Sequence, residues 1–362
     1  MTAQPSMKDV ATLAKVSIAT VSNVLNRPHL VAPSTCSKVL QAIEELGFIR
    51  NETARQLRVG RSRTIGLVVL DITNPFFTDL ARGVEDAANA EGLSVILCNT
   101  DEHVDKENRY LQLLAEQRVQ GVLIVPVDIE GKWLSNLRDQ RIPVVLLDRE
   151  SPLLDQCSVS VDDVAGGRLA AQHLIALGHR KIAFIYDNLA MPQVADRRAG
   201  AVREASRSRV KISMIDGSPL NVAGGRRAGD RIAALAPDER PTAVICANDL
   251  IAIGLEHECI RRGIRVPVDL AIVGYDDIDF AESAATPLTS LRQPRHELGF
   301  TAAKLVLEEA YGASEHRHRH VVFEPELVVR SSCGGQALAR SSQEKDDAEA
   351  PVGVSVGVVE GS

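Results

Sequence analysis

The chain has 362 residues, 45% of them hydrophobic and 25% charged, enough for roughly two to three domains with buried cores. No run of about 18 apolar residues is present and the polar stretch from Met1 to Met7 leads into no apolar h-region, so neither a membrane-spanning helix nor a signal peptide is expected. The six cysteines are scattered singly, without CxxC or a Cys/His metal spacing. That usage predicts a reducing, cytoplasmic setting with no structural zinc and no other cofactor. The net charge of −7 is unevenly placed: Met1–Thr64 holds nine Lys and Arg against four Asp and Glu. A head of about +5 on a body of about −12 suits a head that meets phosphates and a body that does not.

In chain order, residues 7–14 put Val10, Ala11 and Ala14 on one helical face, and Ile18 to Leu25 turns Val21, Val24 and Leu25 inward. Pro33 suits the first position of a third helix, which runs to about Leu46 and stops at Gly47. Residues 1–50 thus predict an all-α head. Residues 51–63 are polar and Arg-rich, without an apolar face, and read as a hinge. From Thr64 the texture changes. Short apolar runs (Ile65–Leu70, Leu93–Leu97, Val122–Val125, Val144–Leu147, Ile182–Ile185, Ala243–Cys246, Leu270–Val273) alternate with helical patterns. Continuous apolar strands between helices predict parallel sheets covered on both faces, here as a two-lobed α/β domain over 64–333. Residues 334–362, rich in Gly, Ser, Ala, Val and acids and without a heptad, read as a disordered tail. The alternating His316, His318 and His320 fit an exposed strand or its lead-in rather than a metal site.

Two short helices joined by a tight turn, with hydroxyls opening the second, describe a helix-turn-helix. Ser17 is a good N-cap, and hydroxyls with free amides at a helix N-terminus suit phosphate. Side chains at the start of a recognition helix face base edges. There Ile18 and Ala19 suit thymine methyls, and Asn23 suits a bidentate contact to adenine. In the α/β part, polar clusters fall just after predicted strands: Asp71 to Asn74, Asn99 to Asp101, Asp148-Arg149, Asn248-Asp249 and Tyr275 to Asp277. Open α/β sheets bind ligands at these carboxyl ends. Carboxylates, amides and arginines there can hydrogen-bond a sugar, although each Asp or Asn also suits a helix N-cap.

The chain resembles the lactose/galactose-repressor (LacI/GalR) family of bacterial regulators from Met7 to about Cys333. The matching words are MKDVA (7–11), VS (16–17), TVS (20–22), VLN (24–26), LGF (46–48), ARQL (54–57), TIG (64–66), DITNPFF (71–77), AND (247–249) and VGYDD (273–277). The resemblance implies a dimeric repressor, binding a near-palindromic operator and controlled by a small molecule, with a sugar or sugar derivative first and a nucleobase or sugar acid open. By the same resemblance Ser17, Thr20, Ser22 and Asn26 touch phosphates, Ile18, Ala19 and Asn23 read bases, and the hinge becomes helical on DNA. Leu57 is then the minor-groove wedge, flanked by Ala54 and Arg58. The effector lies between the lobes, at Asp71, Asn74, Phe76, Phe77, Asn99, Asp148, Asp162, Arg197, Asn248, Asp249 and Asp276. Lys15 stands where the family often has Gly in the turn, and Cys36 where it often has Arg. A solute-binding protein without DNA function is the alternative, and the basic head argues against it. An enzyme is disfavoured by the lack of GxSxG, HExxH or a Walker-type phosphate loop.

Overall fold

The computed structural model describes residues 5–48, 62–129, 131–151, 156–187, 191–312 and 316–334. The chain divides into two compact units between Ser62 and Arg63. The first holds α1 (Met7–Ala14), α2 (Ile18–Asn26) and α3 (Pro33–Leu46). Ser6 and Asp9 close α1 with a capping box, and Gly47 ends α3 in the left-handed conformation. Val10, Ala11, Ala14, Val21, Val24, Val39 and Ala42 form its core. The small side chains let three short helices approach closely. Lys15 ends α1 at φ 52°, ψ 47°, so the turn does require the left-handed region that disfavours a side chain. Cys36 is half-buried, its Sγ beside the carbonyls of Pro28 and Val31.

The second unit builds two sheets. In chain order its elements are β1 (Thr64–Val69), α4 (Pro75–Ala90), β2 (Ser94–Asn99), α5 (Val104–Glu116), β3 (Val122–Ile124), α6 (Lys132–Asp139), β4 (Val144–Leu147), β5 (Cys157–Val161), α7 (Asp163–Ala176) and β6 (Lys181–Tyr186). Then follow α8 (Pro192–Arg207), β7 (Lys211–Asp216), α9 (Val222–Ala234), β8 (Ala243–Cys246), α10 (Asp249–Arg262), β9 (Ala271–Asp276), α11 (Asp279–Glu282), β10 (Thr289–Arg292), α12 (Arg295–Gly312), β11 (His320–Phe323) and β12 (Glu326–Val328). The strand orders are β11-β5-β4-β3-β1-β2 and β12-β10-β9-β8-β6-β7, the same arrangement twice. Every pairing is parallel except β10 with β12. The chain crosses between lobes three times, from β5 to α7, from β10 to α12 and from β11 to β12.

The inner strands β3, β4, β8 and β9 are buried at every residue, as helices on both faces demand. The edge strands β2 and β7 are mixed in burial. Paired helices approach so closely that side chains are excluded. A Cβ on Gly167 of α7 would lie 1.8 Å from the Arg197 carbonyl oxygen, and one on Gly200 of α8 would lie 2.0 Å from that of Val164. No described helix is long and apolar enough to cross a membrane.

Candidate effector cleft and helix-turn-helix face

In α2 the N-cap Ser17 Oγ accepts from the Thr20 amide at 3.0 Å and lies 2.8 Å from Thr20 Oγ1. Asn26 Nδ2 donates to the Ser22 carbonyl at 2.7 Å. Because Val21 and Val24 point into the core, Ile18, Ala19 and Asn23 are turned to solvent, Ile18 at 47% exposure. An isoleucine at that exposure contributes little to folding. Ala54, Leu57 and Arg58, with the hinge, lie outside the described residues.

The strand orders reverse at β1/β3 and β6/β8, and the carboxyl ends of both sheets open on one cleft. It is lined by Asp71, Asn74, Phe76, Phe77, Asp148, Arg197, Asn248 and Asp276, eight of the residues expected from the sequence. Its volume of about 50 Å³ is far below the roughly 300–1,000 Å³ of small-molecule sites, so the lobes are closed on each other. Phe76 and Phe77 meet edge to face with centroids 5.0 Å apart. Gln193 Nε2 crosses from α8 to the Asp148 carbonyl at 2.7 Å, and Asn74 Nδ2 crosses to Asp276 Oδ2 at 3.4 Å.

Arg197 is the electrostatic centre. It is buried, its Nε donates to Asp163 Oδ1 at 2.7 Å and its Nη1 to the Ala247 carbonyl at 2.8 Å, and its guanidinium lies 3.7 Å from the Tyr275 ring centroid. Burial works against the cation, but Asp163, then Tyr275, Asp276 and Asp148, more than reverse it, so its pKa stands above the ordinary value. One cation among three buried carboxylates leaves negative charge uncompensated. Asp148 is pushed up to about 8, by burial first and Asp163 next, with Arg197 opposing. Asp276 is pushed up to about 6 by burial, against Arg197, Gln293 and Asn74. Gln293 Nε2 donates to Asp276 Oδ1 at 2.8 Å. Asp148 Oδ1 is buried without a hydrogen-bond partner among the described residues.

Three expected cleft residues are placed elsewhere. Asn99 props the loop after β1 by accepting from the Ile72 amide at 3.0 Å. Asp162 caps α7, accepting from the Ala165 amide at 2.8 Å. It lines a neighbouring depression instead. Asp249 is fully buried, accepting from Ser290 Oγ at 2.6 Å and the Ile278 amide at 2.9 Å, which fixes the turn after β9. Each is a polar group drawn to unpaired amides or hydroxyls behind the cleft wall. Asn248 does both jobs, capping α10 through Oδ1 and donating to the Leu220 carbonyl through Nδ2 while it lines the cleft. Sequence reasoning did not single out Glu102, Met191, Gln193, Val194 or Leu220 as cleft residues, nor Asp163 as the partner of Arg197. Gln193 was within reach of a pattern argument, since it stands one helical turn before Arg197.

A helix-turn-helix unit and a two-lobed sensor on one chain define a ligand-regulated transcription regulator. Residues 6–51 match the model of bacterial regulatory proteins of the lacI family, and 171–333 that of a periplasmic binding protein-like domain. The chain is 35% identical over 333 residues to the HTH-type transcriptional repressor PurR of Aliivibrio fischeri, covering 90% of this chain and 98% of that one. Among solved structures it is similar to the lac repressor dimer bound to operator and the anti-inducer ONPF (TM-score 0.79, 27% identity, 91% of this chain and 99% of that one). It is also similar to a LacI family regulator from Enterococcus faecium with bound ribose (TM-score 0.69, 32% identity, 74% and 98%). The chain belongs to the LacI family, and it is a ligand-regulated transcriptional repressor.

Proposed function

We propose that the chain binds a near-palindromic operator as a homodimer, and that a sugar or sugar derivative in the cleft sets its affinity for that operator. Two heads are what a two-fold operator requires. In each, Ile18, Ala19 and Asn23 read bases in the major groove while Ser17, Thr20, Ser22 and Asn26 hold phosphates, with Ala54, Leu57 and Arg58 at the operator centre. In the cleft Asp71, Asn74, Phe76, Phe77, Asp148, Arg197, Asn248 and Asp276 meet the effector.

The observation that carries the effector reading is Asp148 Oδ1, buried in the cleft with no hydrogen-bond partner among the described residues, because such an atom costs about 1–3 kcal/mol unless something bonds it. A hydroxyl-rich ligand supplies that bond. A sugar acid fits less well: Arg197, the one basic residue among the described residues lining the cleft, is already engaged by Asp163. Ribose bound to the Enterococcus faecium regulator supports the same class.

Opening the lobes to admit a ligand means breaking the Gln193–Asp148 and Asn74–Asp276 bonds. The ligand's differential affinity for the open and closed states then biases operator binding, by about 1–3 kcal/mol. A thermal-shift screen of neutral sugars, sugar acids and nucleobases tests this, since a ligand at about 100 times its Kd stabilises by about 2.7 kcal/mol. A rise with neutral sugars that is lost in Asp148→Ala supports the reading. A rise confined to sugar acids or nucleobases replaces the ligand class.

A further inference from the structure

The His316–His320 segment leads into β11 as expected, with Arg317 and Arg319 exposed, but the His316 side chain is 5% exposed and turned onto β5. There Cys157 Sγ lies 3.2 Å from His316 Nε2 and 3.8 Å from His318 Nδ1. Glu309 Oε2, near the end of α12, lies 3.9 Å from each of those imidazole nitrogens. All four donor atoms fall within 4.8 Å of one another. Zinc bonded to sulfur at about 2.3 Å and to nitrogen or oxygen at about 2.0–2.2 Å spaces tetrahedral ligands by about 3.4–3.6 Å. The Cys157–His316 pair needs to open slightly and the widest pair to close by about 1 Å.

We propose that Cys157, Glu309, His316 and His318 form a binding site for a borderline-soft divalent cation of the zinc class. The donor set selects this class, because thiolate and imidazole favour zinc and its neighbours over magnesium or calcium. Glu309 Oε2 supports it, being buried with no hydrogen-bond partner among the described residues. Burial holds the Glu309 carboxyl up at about 7 and raises the Cys157 thiol. The Arg319 amide donates to Cys157 Sγ at 3.3 Å, the kind of outer bond that steadies a metal thiolate. The cation would join the start of β5 to a stretch far along the chain, the end of α12 and the lead into β11, the strand that ends at the third lobe crossing. None of the four residues belongs to the effector cleft, so the site is independent of the proposed effector.

The test is cobalt titration of the chelator-treated full-length chain at neutral pH, followed by zinc competition. One cobalt per chain is expected, with a thiolate charge-transfer band in the near ultraviolet, strong tetrahedral bands in the visible, and loss of both on adding zinc. Cys157→Ser removes the charge-transfer band, and His318→Ala weakens binding at least about tenfold. Glu309→Gln, nearly unchanged in volume, weakens it too, which keeps the test valid if Cys157→Ser misfolds. Cys36→Ser changes nothing. No cobalt uptake, octahedral spectra, or a charge-transfer band that survives in Cys157→Ser overturns the proposal and leaves a hydrogen-bonded cluster.

Discussion

Asp148 and Lys15 each hold a conformation or charge state that an ordinary site would avoid. For Asp148 the folded pKa of about 8 stands above the ordinary aspartate value of 3.8. A raised carboxyl pKa means the folded state binds the extra proton, so its stabilising contribution is full below about pH 4 and is lost as pH rises toward 8. The expected result is a denaturation midpoint that falls across that window, with a slope of up to about 1.4 kcal/mol per pH unit, and a flatter profile in Asp148→Asn. Equal slopes would mean the carboxyl is not held protonated. Lys15 at φ 52° should cost about 1 kcal/mol. Lys15→Gly should therefore slow hydrogen exchange of the α1–α3 amides in the full-length chain by several-fold, and unchanged exchange would show the turn unstrained. Asn23, exposed on α2, should contribute about 1–3 kcal/mol of preference for one adenine per half-site. Selection of operator variants by Asn23→Ala measures it, and an unaltered preference at every position removes Asn23 from the reading set.

At the scale of elements, what was legible depended on whether residue type and environment agreed. The helices of the head were readable because Val10, Val21 and Val39 fall on periodic inner faces and Ser17, Pro33 and Gly47 mark the ends. Continuous apolar runs marked β1, β3, β4 and β8 for the same reason. Strand β5 was hidden because Ser158 and Ser160 interrupt it. Both are buried, and Ser158 Oγ lies 2.8 Å from His320 Nδ1, a bond between segments that periodicity does not see. Strands β7, β11 and β12 sit on sheet edges, where a continuous apolar run is not required. The cleft was largely legible since its polar residues follow strands directly. Asn99, Asp162 and Asp249 have the same sequence signature but are used as props and caps, and only the fold separates the two uses. The contact of α7 with α8 at Gly167 and Gly200 positions Arg197. Gly200→Ala should cost about 1–3 kcal/mol by overpacking and also weaken ligand binding, as read by calorimetry of the free and liganded chain. A loss of stability with ligand affinity intact would dissociate that contact from the cleft.

Over the whole molecule, duplicated sheets joined by three crossings suit the proposed opening and closing of the lobes, and the basic head is the part that such a motion would control. Salt dependence belongs to this scale, since phosphate contacts by Lys and Arg weaken steeply as counterions are added. The measurement that bears most directly on the central claim is operator affinity of the full-length chain across a salt series, with and without a ligand that the thermal screen shows to bind. A steep fall with salt and a ligand-induced change of about 5- to 150-fold at fixed salt are expected, the latter abolished in Asp148→Ala. An operator affinity indifferent to every bound ligand would contradict it.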